Sequence, residues 1–384
     1  MSYYGWGEEH EALRDRVGEF AREEVAPVAA GLSRRAEFPY ALVGAMGELG
    51  LFGLPFPERY GGGGGDYLSL CLAVEELARV DSSVAATLSA AVSLGALPIS
   101  MFGDPGQKER WLPELCAGHA LAAFGLTEPH GGTDAGAPRT TAVEDGTAWV
   151  VDGTKSFITN SGTDITRLVT VTAVTGERED GGPEISAIAV PSETPGLTVA
   201  DAYTKLGWRA SDTHELSFSS CRVPRENLVG VRGRGLSQFL AVLDRSRITL
   251  AALGVGVAQG CVDEAVRHAG EREAFGVRIG EHQAVRFRIA DMEARTHNAR
   301  LSYHYAVARM LRREPFSKEA AIAKLTASEA AVDNARDAVQ VLGGQGYMDD
   351  STVARHYRDA KILEIGEGTS EVQRMVIADR LGLP

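Results

Sequence analysis

The sequence predicts a mostly α chain with a β domain at its centre, an α+β architecture in the order helical, β, helical. Three observations predict it. Apolar residues recur every three to five positions from the N-terminus to about His119; short β-branched runs fill the stretch from about Ala120 to Gly233; and the helical period returns from about Leu236. The expected domains are therefore an N-terminal helical domain over 1–119, a middle antiparallel β domain over 120–233 and a C-terminal helical bundle over 234–384. The 384 residues suit two to three domains at about 150 residues each.

In chain order, Leu13, Val17, Phe20 and Val25 stand among Glu and Arg on one helical face, and Leu70, Val74, Leu77 and Ala78 repeat the pattern. Gly61 to Gly65 interrupt it and read as a flexible surface turn rather than a phosphate loop. Ser82 to Gly103 is uncharged and long enough to span a bilayer. Its Ala and Ser content and Pro98 favour a buried helix instead. Strands are expected at Trp149–Gly153, Leu168–Thr175, Ile185–Pro191 and Leu216–Phe218. No helical crossovers separate these runs, so an antiparallel sheet is expected rather than a parallel one. Beyond Leu236, the residues Ala321, Leu325, Ser328, Val332, Ala335, Val339 and Leu342 alternate steps of four and three, a bundle seam.

Composition removes several function classes. Lys and Arg number 39 against 52 Asp and Glu, a net charge of −13 that repels phosphate backbones and argues against nucleic acid. Cys71, Cys116, Cys221 and Cys261 are scattered without a CxxC or a Cys/His cluster, so neither a disulfide framework nor a metal site is expected. The residues from Met1 to Glu9 show no basic or apolar leader segment. A cytoplasmic protein without a membrane span is the expectation. Gly254, Gly256 and Gly260 lie in a helical stretch with the wrong spacing for a dinucleotide fingerprint, and GxxxxGK[ST], HExxH and GxSxG are absent.

Three segments could carry chemistry. Phe124-Gly-Leu-Thr-Glu-Pro-His-Gly-Gly-Thr-Asp134 joins the helical and β stretches and combines exposed N–H groups with the hydroxyls of Thr127 and Thr133. On residues alone, a ring-binding surface and a bland junction loop are equally open. Phe157-Ile-Thr-Asn160, after a Gly153-Thr-Lys turn, reads as a strand end with a core aromatic. Arg358 to Arg374 places Glu367 between Gly366 and Gly368, just before a helix start at Thr369 and Ser370. An isolated Glu there is ordinarily a solvated loop acid, yet a glycine turn also allows a carboxylate to approach a ligand closely.

Taken together, the chain resembles the acyl-CoA dehydrogenase family over essentially its whole length. The resemblance is carried by Leu126-Thr-Glu-Pro with Gly-Gly-Thr-Asp134, by Gly153-Thr-Lys-Ser-Phe-Ile-Thr-Asn160, and by Lys205-Leu-Gly-Trp-Arg-Ala-Ser-Asp-Thr213 leading to Val223-Pro-Arg-Glu-Asn227. It continues in Arg272-Glu-Ala-Phe-Gly276 with Gln283, in Gln340-Val-Leu-Gly-Gly344, and in Arg358-Asp-Ala-Lys with Gly-Glu-Gly-Thr-Ser-Glu371. It implies a C-terminal four-helix bundle, a homotetramer and FAD held without a covalent bond between the β domain and the bundle. By position, Phe124, Leu126, Thr127, Phe157 and Thr159 would contact the flavin, Thr133 both flavin and substrate, and Thr369 the cofactor. Arg272, Phe275, Gln283, Gln340 and Gly344 would reach the FAD of a neighbouring subunit. Phe157 stands where many relatives carry Trp and lacks an indole N–H.

The resemblance also implies the reaction. Glu367 would remove the α-proton of an acyl thioester while the β-hydrogen leaves as hydride to FAD, giving the trans-2-enoyl product. The Glu367 N–H and a flavin ribityl hydroxyl would form the oxyanion hole. Some relatives carry the base on an earlier helix, at the position of Ser246, which cannot serve. Asp244 and Arg247 match positions near the pantetheine and thioester, and a buried ion pair is an equal reading of Arg247. Gly366 and Gly368 flank the base, and Gly366 replaces a Tyr of straight-chain relatives, leaving room for a methyl branch. Ser82–Gly103 offers no cation for a dicarboxylic substrate. The expected partners are an acyl-CoA of short or branched chain and an electron-transfer flavoprotein. Alternatives are a same-fold oxidase or monooxygenase, a carrier-protein-bound substrate, or a scaffold with a spent site.

Overall fold

The computed structural model describes residues 6–383; the first five residues of the leader reading lie outside them. The N-terminal helices are α1 (Glu8–Phe20), α2 (Ala26–Arg35), α3 (Tyr40–Glu48), α4 (Tyr67–Val80), α5 (Ser82–Ala90), α6 (Leu97–Phe102) and α7 (Pro105–Cys116). A π turn at Ala21–Val25 joins α1 to α2 and absorbs the five-residue step from Phe20 to Val25. Aspartates start three of these helices. Asp66 accepts from Ser69 N at 2.9 Å, Asp81 from Val84 N at 3.1 Å and Asp104 from Gln107 N at 2.8 Å. The glycine run is tied down rather than loose: Gly63 N donates to Gly53 O and Gly64 N to Phe56 O. Ser82–Phe102 is one continuous helical path with a π turn in its middle. It is long and apolar enough to cross a membrane, but 78 % of its apolar window is buried inside the fold.

The middle strands are β1 (Leu121–Gly125), β2 (Thr141–Asp145), β3 (Ala148–Thr159), β4 (Thr166–Glu177), β5 (Pro183–Pro191), β6 (Leu197–Val199), β7 (Thr213–Pro224) and β8 (Leu228–Val229). They form an eight-stranded sheet in the order β6-β7-β3-β2-β4-β5-β8, with β1 alongside β4. The sheet is antiparallel except where β1 and β2 each run parallel to β4. The β1–β4 connection passes through the β2–β3 hairpin instead of a helix, so the lack of helical crossovers did not exclude a parallel pair. Gly153 lies inside β3 at a register shift, not in a turn. Its φ of +147° brings the backbone against Thr140 at a distance that leaves no room for a Cβ.

Beyond Gly233 come α8 (Gly235–Glu271), a small hairpin of β9 (Glu273–Ala274) and β10 (Val277–Arg278), α9 (Gln283–Leu311), α10 (Ser317–Leu342), α11 (Thr352–Ala360) and α12 (Ser370–Arg380). The glycines that failed as a nucleotide motif serve helix packing. A Cβ on Gly256 would sit 2.3 Å from Glu75 O, and one on Gly260 2.2 Å from Arg79 O, so α8 crosses α4 backbone to backbone. In α10 the predicted seam is correct at Ala321, Ser328, Ala335 and Leu342. Leu325, Val332 and Val339 are only half-buried, because the helix packs on several sides and turns a broader stripe of alanines inward. That stripe also buries Lys324, Asn334 and Asp337.

Candidate active site

The loop between α11 and α12 carries Glu367 in the left-handed region, φ +56°, with Gly368 following at φ +93°. A left-handed glutamate is strained by roughly 1–3 kcal/mol, which the surrounding bonds must over-determine. Four hydrogen bonds from three side chains do so. Lys324 Nζ and Gln373 Nε2 each donate to Gly368 O at 2.8 Å, Gln373 Nε2 also reaches Glu367 O at 3.3 Å, and Ser246 Oγ donates to Glu367 Oε2 at 2.5 Å. Thr369 caps α12 by accepting from Val372 N at 3.3 Å. The glutamate keeps some exposed surface, yet its carboxylate is enclosed. Burial raises its pKa above the usual carboxylate value; the Ser246 hydrogen bond and the charges of Lys324 and Arg247 pull the other way. It is not a solvated loop acid. Gly366 leaves open space beside it, since a Cβ there would meet only Ile362 O, at 3.5 Å.

Helix α8 supplies the opposite wall. Ser246, at the alternative base position, touches the carboxylate directly. Arg247 is 5 % exposed and pairs through Nη1 with Asp244 Oδ1 at 2.7 Å, so the ion pair is real; its Nε finds no partner among the described residues. From α4, Tyr67 accepts a hydrogen bond from Thr249 at 2.8 Å and lies within electrostatic range of Glu367.

The β domain contributes a second cluster. Phe124 stacks on Phe239 of α8 with ring centroids 4.0 Å apart, and Ser156 N donates to Thr127 O at 2.9 Å, placing β3 beside the end of β1. Beneath them, buried Lys155 donates to Glu128 at 2.7 Å, to Thr172 Oγ1 at 3.2 Å and to Leu126 O at 3.3 Å. Thr133 is exposed on a loop whose Gly132 faces Thr127. Phe157 corrects the expectation of a core aromatic. It is 65 % exposed at φ +61°, its ring 5.0 Å from that of Tyr203, while the neighbouring Ile158 enters the core. Thr159 is half-buried, and Asn160 after it bonds Thr87 O of α5 at 3.0 Å. On the same side, Trp208 N donates to Asp359 of α11 at 2.7 Å, joining the β domain to the helix that leads to Glu367.

The remaining predicted residues do not join this cluster within one chain. Arg272 follows the end of α8, Phe275 tips the β9–β10 hairpin, Gln283 opens α9, Gln340 lies in the last turn of α10 and Gly344 in the 3-10 turn after it. All five are exposed, Phe275 at 98 %. At 1.5 Å per helical residue, Arg272 lies about 40 Å along α8 from Ser246.

Comparisons with known proteins decide the family. The models of the acyl-CoA dehydrogenase N-terminal, middle and C-terminal domains match residues 7–119, 123–221 and 233–382. The chain belongs to the acyl-CoA dehydrogenase family. Short-chain specific acyl-CoA dehydrogenase of Mus musculus mitochondria is 44 % identical over 97 % of this chain and 90 % of its own. Butyryl-CoA dehydrogenase from Megasphaera elsdenii superposes with a TM-score of 0.95 at 38 % identity, covering 99 % of this chain and 100 % of that one. A chain in the structure of the electron transferring flavoprotein of Acidaminococcus fermentans also gives 0.95, at 41 % identity over 99 % of both chains.

Family members are FAD-dependent flavoproteins, and the residues here fit that group. Phe157 holds an aromatic ring outward at the expense of a left-handed backbone, beside a hydroxyl-rich loop, a surface matched to a flat ring system with polar edges. Lys324, Gln373, Tyr67 and the exposure of Phe157 escaped sequence reasoning. Only the Lys within an alanine stripe left a sequence signal.

Proposed function

We propose that this chain is an FAD-dependent dehydrogenase of short-chain acyl-CoA, with Glu367 as the base. The enclosed carboxylate on its strained glycine-flanked turn carries the reading. Bound FAD supplies a two-electron acceptor for the β-hydrogen, which leaves as hydride. Glu367 takes the α-proton, so the saturated thioester loses two hydrogens and becomes the trans-2-enoyl thioester. The Glu367 N–H faces the developing charge on the thioester oxygen. Ser246 holds the carboxylate, and Arg247 with Asp244 lines the thioester and pantetheine side. Phe124, Leu126, Thr127, Phe157, Thr159 and Thr369 would hold the cofactor, and Thr133 would contact both it and the substrate.

Arg272, Phe275, Gln283, Gln340 and Gly344 complete the FAD site of another subunit, which couples cofactor binding to a homotetramer. Their exposure at the far end of the bundle supports this. An electron-transfer flavoprotein takes the electrons, in keeping with the Acidaminococcus neighbour, and the four buried free cysteines suit the cytoplasm. The open space at Gly366 favours a second substrate reading, a short acyl chain with a methyl branch. Comparing kcat/KM for butyryl-, isobutyryl- and isovaleryl-CoA separates the two.

The raised Glu367 pKa fixes the sign of the pH dependence. The base works only when ionised, so kcat/KM falls as pH falls through its raised pKa. The acidic limb is expected above the ordinary carboxylate range, and a midpoint near 4 would contradict an enclosed base.

A further inference from the structure

One cation at the base loop has no part in the reaction as described. Lys324 is fully buried on α10 between Ala321, Ala323 and Ala327. A buried ammonium costs several kcal/mol unless something compensates it. Among the described residues it forms no ion pair within 4 Å. Its hydrogen-bond acceptor is the neutral carbonyl of Gly368, the residue after Glu367.

Resting on the reading of Glu367 as the base, we propose that Lys324 is a positioning residue that clamps the base loop and keeps the Glu367 carboxylate ionised in its water-poor site. The two groups act on each other: burial lowers the Lys324 pKa to about 8, while Glu367 is the largest influence raising it. The groups around this pair are Arg247 and Asp244 on α8, Tyr67 on α4, and Glu364 and Glu371 beside Lys324. Arg247 also favours the ionised Glu367, but it is paired with Asp244 at 2.7 Å, whereas Lys324 forms no ion pair among the described residues. Gln373 bonds the same Gly368 carbonyl, so the loop keeps one donor when Lys324 is replaced.

The test compares Lys324→Gln, which retains a donor without charge, with Lys324→Met in the FAD-loaded enzyme. Two readouts are taken: the pH profile of kcat/KM with butyryl-CoA, and infrared titration of the Glu367 carboxyl, assigned by its absence in Glu367→Gln. Loss of a neighbouring opposite charge should move both midpoints up by about one pH unit. Both variants should lose about tenfold in kcat/KM below the limb and recover at higher pH. A tether alone would lower thermal stability and leave both midpoints in place, which would overturn the proposal. If the wild type fails to turn over butyryl-CoA while the infrared midpoint still shifts, the charge coupling stands and the reading of Glu367 as base falls.

Discussion

Glu367→Gln is expected to yield a folded, FAD-binding protein whose turnover is lower by at least the roughly 10²–10⁴-fold that a general base contributes. Glutamine keeps the size of the side chain and an oxygen for the Ser246 hydroxyl, so the strained turn and its bonds to Lys324 and Gln373 persist. What is lost is the basicity, together with the negative charge that acts on Lys324. The alternative base position holds Ser246, which bonds Glu367 itself, and Asp244 is paired with Arg247. Steady-state rates with an artificial acceptor, together with the visible flavin spectrum, check this. Near wild-type rates with an intact flavin band would remove Glu367 from the reaction.

The second large effect concerns stability. Arg355 is 4 % exposed and its Nε lies 2.9 Å from Asp81, itself 1 % exposed. Asp359 is buried nearby, held by Ser82 at 2.8 Å and by Trp208 N at 2.7 Å. Its pKa is pushed up to about 6, first by burial and then by the charge of Asp81. Arg355→Met leaves two buried carboxylates without their cation and should cost about 3–5 kcal/mol. Asp81 also caps α5, and Asp359 ties the β domain to α11, so both ends of the site loosen together. Denaturant unfolding checks the magnitude. The deficit should shrink as pH falls, because protonating either carboxylate removes the uncompensated charge. A loss under about 1 kcal/mol at neutral pH would show that the cluster does not depend on Arg355.

What the sequence made legible follows from which interactions are local. The helical period of α1 and α4 and the centres of β3, β4, β5 and β7 write themselves into neighbouring residues, whereas the π turn after Phe20 and the broad alanine stripe of α10 emerge only in the fold. The Gly366-Glu367-Gly368 turn was visible because left-handed backbone leaves glycines behind. Long-range placement was not visible. Phe157 looks like any strand-end aromatic until the fold shows Ile158 taking the core position. Lys324 reads as a solvated lysine until α8, α10 and the base loop close around it. Gly256 and Gly260 gave a failed motif because their reason lies on α4, some 180 residues earlier. The parallel β1–β4 pair escaped because its crossover is a hairpin. At the far end of α8, Arg272 and Phe275 gave no functional signal of their own.

The most direct test of the account is an anaerobic titration of the purified flavoprotein with butyryl-CoA, followed by the visible flavin band. The band is expected to bleach as the substrate is oxidised to the enoyl thioester, whereas Glu367→Gln under the same conditions should not bleach. A yellow protein that neither butyryl-, isobutyryl- nor isovaleryl-CoA can bleach would contradict it.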